Sequence, residues 1–414
     1  MSPIDSRILI LGAGTFGIST AYHLAKSGYS SITVLEKGNT IPSPLSAAND
    51  LNKIVRAEYE DPFYADLALA ALDAWSNDPL FSPHFRKVGY LLGNSAAAPD
   101  KSRRSLAKSL ASIESHPAFI DHIAPIATRE EIRRVAPALD GLMDGWTGYF
   151  NAMAGYARAA NALQALHEAV RGLGVDVKLG DTAVSLDFDR SGSCIGAVTE
   201  SGQRYTADVT ILTLGASLAT LLPEIGGQIT AKSWTISHVR LTKDEAERLK
   251  GIPVTYSRDL GFFMEPDPET RLLKLSTSGA GFTNFVDGVS VPKEDNKFLP
   301  AGEEEAVRKI LREHLPSLAD RPLVECKICW CADTADSDYI IDFVPGKEGL
   351  VVATGDSGHA FKMLPLVGGW VRGLLEDGEQ KVSKWKWKEQ SATAGTTRDV
   401  SWRVGKVRGL SEIM

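Results

Sequence analysis

The sequence predicts a two-domain α/β chain, in which a nucleotide-binding βαβ domain is interrupted by a mixed, largely antiparallel domain. Three observations predict it. A strand, a glycine turn and a helix open the chain at "RILILGAGTFGISTAYHLAKSG". A strand running into a glycine turn recurs at "ADVTILTLGA" (207–216) and, followed by a helix, at "GLVVATGDSGHAFKMLPLVGGWVRGLLEDG" (349–378). Residues 220–325 between them read as mixed antiparallel strands with one helix. At 414 residues the chain exceeds what one ordinary core encloses. The division expected is 1–84, 147–220 and 322–414 for the nucleotide-binding domain, and 85–146 and 221–321 for the second.

The elements follow in order. "RILIL" (7–11) is a short apolar run of the buried-strand kind, and "SITVLEK" (31–37) is a second strand ending at Glu36. "NDLNKIVRAEY" (49–59) is read as a helical stretch, which puts Lys53 and Arg56 on one face. "DPFYADLALAALDAW" (61–75) is an amphipathic helix, and "KVGYLLGN" (87–94) a strand with turn glycines. Residues 155–174 form a long helix closed by glycines. "VDVKLGDTAVSLDFD" and "CIGAVTESGQRYTADVTILTLG" supply several strands, with a hairpin at "ESGQ". A helix is expected at "EEEAVRKILREHL" (303–315). The basic stretch 381–409 is read as a surface wrap.

Composition narrows the function. A net charge of -7 argues against a nucleic-acid or membrane-surface binder, whose partners require a basic face. The N-terminus lacks the basic lead and apolar run of a secretory signal, and the terminal "SEIM" is no peroxisomal tripeptide. No window approaches a membrane span. Four unevenly spaced cysteines do not make a disulfide framework. The expectation is a cytoplasmic monomer with no membrane or nucleic-acid partner.

Gly12, Gly14 and Gly17 stand where a dinucleotide fingerprint must stand, after a strand and at the opening of a helix. The helix N-terminus offers unpaired N–H groups to a pyrophosphate. Glu36 has the spacing of a carboxylate that accepts from ribose hydroxyls. This motif does not distinguish FAD from NAD, and an NAD-dependent dehydrogenase is the main enzymatic alternative. A nucleotide-binding sensor without turnover is the non-enzymatic one.

Cys326, Cys329 and Cys331 crowd into "VECKICWCADT", and Cys194 is the only other cysteine. A metal site wants a second pair of ligands, which the sequence lacks, so no metal is expected. A redox pair, buried strand packing and a thioether to a cofactor are the other readings.

The segments "GAGTFG", "SAANDLNKIVR", "LLKLS" (272–276), "CWCADTADSDYIID" (329–342) and "GDSGHAFKMLP" (355–365) occur in that order. Together they resemble the monomeric sarcosine oxidase and amadoriase (fructosyl amino acid oxidase) family of FAD amine oxidases. The resemblance spans nearly the whole chain. It implies a Rossmann-type FAD-binding domain with a mixed antiparallel-sheet substrate domain. It also implies oxidation of a secondary amine, an N-alkyl or N-methyl α-amino acid, to an imine, with O2 reduced to hydrogen peroxide.

The resemblance assigns residues as well. Cys329 begins the segment whose cysteine bonds the flavin 8α carbon, leaving Cys326 and Cys331 to strand packing; Ala335 replaces the usual proline of that segment. Lys274 matches the lysine that helps oxygen accept electrons, and a lysine on an apolar strand is costly without a task. Arg56 and Lys362 match carboxylate-binding cations, and Lys53 a second basic group over the flavin. The implied cofactor shell is Gly12, Gly14, Thr15, Phe16, Gly17, Glu36, Lys37, Ser46, Asn52, Lys53, Val184, Gly215, Cys329, Asp356, Gly358, His359, Ala360, Phe361 and Lys362. Ser278, with Arg56 and Lys362, is implied for substrate binding. Sarcosine oxidases tend to carry histidine at the position of Ser278 and deglycating enzymes glutamate; Asn49 replaces another sarcosine-oxidase histidine. The chain thus departs from both prototypes. Amadori-product oxidation, saccharopine or pipecolate oxidation, and biosynthetic ring closure through a captured imine all stay open.

Overall fold

The computed structural model describes residues 4–388, 403 and 405–413. The opening run forms the buried strand Ile8–Leu11, and the helix Thr15–Lys26 follows after one turn. That turn tolerates no side chains at two points. A Cβ on Gly12, whose φ is +101°, would lie 2.7 Å from the Thr213 carbonyl oxygen, and one on Gly17 would lie 1.9 Å from the Gly12 carbonyl oxygen. The first is a left-handed backbone conformation and the second a helix–strand approach, and both require glycine.

Ile8–Leu11 is central in a six-stranded sheet. The order is Ile340–Phe343, Leu350–Thr354, Val209–Leu212, Ile8–Leu11, Ile32–Glu36 and Asp176–Leu179. Only Ile340–Phe343 runs antiparallel to its neighbour. The helices Ala159–Gly172 and Val367–Asp377 pack on the first helix. Ser19 fixes the second contact: its hydroxyl donates to the Leu364 carbonyl (2.7 Å) and accepts from the Gly368 N–H (2.9 Å).

A ten-stranded mixed sheet stands beside it. Its backbone is the twelve-residue strand Ile229–Arg240, paired antiparallel with Leu272–Thr277 and with the cysteine strand Leu323–Thr334. The helix Glu303–His314 covers it, burying Val307, Ile310 and Leu311 among Phe263, Leu273 and Leu275.

Strand pairing crosses the domain division read from the sequence at two places. Thr147–Asn151 pairs with Tyr90–Asn94, and Leu323–Thr334 with Ile229–Arg240, so both belong to the mixed sheet. The long helix expected over 155–174 begins later: Gly155–Ala157 is a strand and the helix is Ala159–Gly172. The helical reading of 49–59 is corrected. Lys53–Val55 is a strand paired with Gly155–Ala157, where its β-branched Ile54 and Val55 suit a pleated surface better than a helix. The surface-wrap reading of 381–409 also changes. Residues 389–402 and 404 lie outside the described residues, but Trp385 is buried against Trp370, with ring centroids 4.6 Å apart, and Arg403 is buried beside Asp333. An indole leaving water for an aromatic cluster explains the first. Among the described residues no helix is long and apolar enough to cross a membrane.

Candidate active site

A cavity of about 620 Å³ joins the two sheets, running from the glycine turn at Gly12 to the cysteine strand and the turn Asp356–Lys362. That volume is in the usual range for cofactor and ligand sites. At the nucleotide end Gly14 precedes the first helix without any capping side chain, and the first turn holds no acidic residue. A Cβ on Gly14 would meet nothing closer than the Ser46 hydroxyl at 3.8 Å, so its backbone faces open space. The unpaired N–H groups of the helix end are thus presented to the cavity. The Glu36 carboxylate accepts from the N–H groups of Ala13 and Gly38, each at 2.9 Å, and clamps the turn it was expected to serve. Thr15, Phe16, Lys37, Ser46 and Gly215 line the same cavity.

At the other end three cations meet one carboxylate. Asp50 Oδ2 accepts from Lys274 Nζ at 2.6 Å and from Lys53 Nζ at 2.8 Å. Lys274 Nζ also donates to the Asn52 carbonyl at 2.8 Å, and Lys327 Nζ donates to the Asn49 carbonyl at 2.6 Å. An ammonium carries three N–H donors, so Lys274 keeps one for the cavity it lines. Burial disfavours the Asp50 anion, but Lys274, Lys53 and Lys327 outweigh it and hold the carboxyl well below its ordinary range. The two lysines that share Asp50 diverge. Burial and the Lys53 charge push Lys274 down to about 8 against the pull of Asp50. Lys53 is held above its ordinary range, because Asp50 and the Cys329 sulfur offset its burial. The side chain of Lys274 is 2% exposed and that of Lys53 23%, which makes Lys274 the one to lose its proton first.

Cys329 Sγ lies 4.0 Å from Lys53 Nζ and is only partly buried. Cys331, two residues on, shares that face of the strand and also lines the cavity. Burial, Asp356 and Asp333 raise the Cys331 thiol well above its ordinary range, so it stays protonated. Cys326 instead turns to the Val324 carbonyl, 3.8 Å away.

Arg56 and Lys362 share the ring of Tyr59, at 5.1 Å and 5.3 Å from its centroid. Lys362 Nζ donates to the Tyr59 hydroxyl and to the His359 carbonyl, both at 3.0 Å. Among the described residues Arg56 makes no ion pair or hydrogen bond. Burial and the Arg56 charge push Lys362 well below its ordinary range. The buried Glu58 carboxylate supports both charges without bonding either, and an incoming carboxylate that bonds Arg56 and Lys362 would relieve their mutual repulsion.

His359 is fixed by its neighbours. Nδ1 lies 3.0 Å from both the Tyr59 and the Tyr339 hydroxyls, which share its one lone pair, and Nε2–H donates to the Ser337 carbonyl at 2.8 Å. Burial and the Lys362 charge push it down to about 3, so it is neutral and its tautomer is set by this network. Asp356 accepts from the Ala332 N–H at 2.6 Å, and burial with the Asp333 charge raises it to about 7. Gly358, Ala360, Phe361 and Ser278 line the cavity.

Three expected residues do not line the cavity: Gly17 packs against the Gly12 carbonyl, and Val184 and Asn52 stand elsewhere. Val184 is 52% exposed in a strand, and the adjacent wall is formed by Asp181, Thr182 and Ala183; alternation turns Val184 outward. Asn52 is buried behind the wall and contributes its carbonyl to Lys274. Asn49 likewise does not line the cavity. Sequence reasoning missed Asp50, Glu58, Tyr59 and Arg258. The signal for Asp50 was its i,i+3 spacing to Lys53.

Residues 7–374 match the FAD dependent oxidoreductase family. The chain belongs to this family of FAD-dependent oxidoreductases. The enzyme is 33% identical to L-saccharopine oxidase of Schizosaccharomyces pombe over 97% of this chain and 96% of that protein. It is 26% identical to monomeric sarcosine oxidase of Bacillus sp., over 87% and 90% respectively. The crystal structure of the deglycating enzyme fructosamine oxidase (Amadoriase II) from Aspergillus fumigatus superposes with a TM-score of 0.91. That pair shares 33% identity over 100% of this chain and 97% of the other. The uncapped helix end, the open face at Gly14 and the length of the cavity fit the FAD of this family.

Proposed function

We propose that this enzyme oxidises secondary amines derived from α-amino acids, with oxygen as the electron acceptor. The observation that carries this reading is the pair Arg56 and Lys362, without a bonded anion, in the same cavity as Lys274 and Cys329. Bound FAD supplies an acceptor for a hydride equivalent from the carbon beside nitrogen and a donor of electrons to O2. Cys329 would hold it through a thioether, with Gly12–Gly17 and Glu36 at its nucleotide end. Arg56 Nη and Lys362 Nζ bind the substrate carboxylate and fix the amine's orientation; the gain is geometric as much as energetic. Tyr59, Phe262 and Trp234 wall the site and exclude water. The free N–H of Lys274 presents positive charge to oxygen as it gains electrons. We read the enzyme as a cytosolic monomer.

Deglycation is the second reading, favoured by the close match to the fructosamine oxidase fold. Ser278 weighs against it, because the sugar-contacting glutamate implied for that position is missing. An anaerobic panel separates the readings: sarcosine, pipecolate, saccharopine, fructosyl-valine and N-methyl aromatic amino acids, watched at the flavin band near roughly 450 nm. Bleaching by at least one secondary amino acid is expected, and none by any member would end the proposal. In Arg56→Gln the KM of the reactive amine should rise by roughly 10- to 100-fold with a smaller change in kcat.

The reaction with oxygen should also depend on pH. Lys274 sits at about 8, so its cationic fraction disappears as pH rises through that value, and the oxygen reaction should decline on the alkaline side. Asp50→Asn removes the anion that supports the Lys274 charge. The decline should then begin about one pH unit lower or more, measured by stopped-flow across a pH series.

A further inference from the structure

A further cation, Arg258, lines the same cavity and is not accounted for by the carboxylate pair. Arg258 follows the strand Val254–Ser257 and is 7% exposed, with its backbone N–H donating to the Gly93 carbonyl at 2.9 Å. Its guanidinium reaches two serine hydroxyls on the helix Asp100–Glu114: Nη1 donates to Ser105 at 2.8 Å and Nη2 to Ser109 at 2.6 Å. Nε is buried without a partner. A guanidinium offers five N–H donors, so most of its capacity is unused.

The acids around it are engaged elsewhere. Asp259 accepts from the Ser95 N–H (3.0 Å) and hydroxyl (2.6 Å). Glu58 accepts from Asn151 Nδ2 at 2.7 Å through one oxygen, and its other oxygen is buried without a hydrogen-bond partner. Glu60 accepts from the Ser105 hydroxyl, 3.3 Å from its carboxylate. Among the described residues no carboxylate forms an ion pair with Arg258. Buried arginines are ordinarily paired, and the side chain of Arg258 bonds only two neutral hydroxyls and no carboxylate. Arg258 and Arg56 line one cavity, with Tyr59, Tyr90 and Tyr256 also in its wall.

We propose that Arg258 is the anchor for a second carboxylate of the substrate, so that the enzyme's natural amines are N-alkyl amino acids with a further acidic group. This inference rests on the reading of Arg56 and Lys362 as the first carboxylate anchor. The substrate spans the wall between them, and Ser105 and Ser109 hold the guanidinium in place while it waits.

The test is binding, which does not require turnover. The FAD-loaded enzyme is titrated calorimetrically with straight-chain dicarboxylates from succinate to pimelate and with the mono-amide of each. At one length the diacid should bind at least about tenfold more tightly than its nearly isosteric mono-amide. In Arg258→Gln that preference should fall to near one, and Arg258→Lys should restore part of it. Absence of preference at every length in the wild-type protein overturns the inference without any variant. So does a preference that survives in Arg258→Gln. Comparing N-methyl-L-glutamate with N-methyl-L-glutamine as substrates then separates the two claims. If neither bleaches the flavin while diacid binding still depends on Arg258, amine oxidation has failed and the second anchor stands. If both bleach it equally and diacid binding ignores Arg258, the anchor has failed and amine oxidation stands.

Discussion

In Lys274→Met, reoxidation of the reduced enzyme by oxygen should slow by roughly a hundredfold or more, the scale seen when one preorganised charge or donor is removed from a developing anion. Anaerobic bleaching by substrate should slow much less. The asymmetry follows from the placement of the side chain. Lys274 is on a strand buried along its whole length, and its ammonium is fixed by Asp50 Oδ2 and the Asn52 carbonyl with one N–H toward the cavity. It has no anion of the substrate to bind, because Arg56 and Lys362 occupy that role. Stopped-flow measurement of both half-reactions decides the matter. Equal slowing of the two would remove Lys274 from oxygen activation and leave it a general structural cation. Methionine is long and apolar enough to keep the strand packed, so gross unfolding is not the expected cause of a defect. The Asp50 left behind retains Lys53 as a partner at 2.8 Å.

Cys329→Ser should convert a retained flavin into a released one. Acid precipitation of the wild-type protein should leave a yellow pellet, and the denatured chain should exceed its sequence mass by one FAD. The serine variant should give a colourless pellet and an unmodified mass. Cys331→Ser is the informative control. Both sulfurs face the cavity from one strand, but only Cys329 is beside an ammonium, while burial and two carboxylates keep Cys331 a thiol. A tether lost in Cys331→Ser and kept in Cys329→Ser would reverse the assignment. A wild-type flavin that washes out would dispose of the thioether altogether.

Much of the nucleotide end was legible because it is local. Gly12, Gly14, Gly17 and Glu36 lie within 25 residues, and strand, turn and helix each carry their own pattern. The catalytic end was legible only in fragments. Lys274 announced itself as a lysine on an apolar strand, but its partner Asp50 is 224 residues away in sequence. Lys53 and Arg56 were identified correctly as cations and incorrectly as helical, because an i,i+3 spacing also arises when a short strand leads into a loop. Arg258 gave no signal: an arginine after a strand is ordinarily solvated, and only the helix Asp100–Glu114 closing over it makes it a buried charge.

By itself the sequence determined the βαβ turn, the order of the chemical segments and the identity of the cations and sulfurs, since these depend on side-chain type and near-neighbour spacing. The tertiary structure alone decided which charges meet. Asp50 joining Lys274 and Lys53, Tyr59 beneath Arg56 and Lys362, and Arg258 lining the cavity with its side chain bonded only to hydroxyls are products of strands paired across long stretches of chain. The physical reason is that the cost of a buried charge depends on its distance to the nearest opposite charge, a quantity set by packing that residue spacing along the chain does not encode.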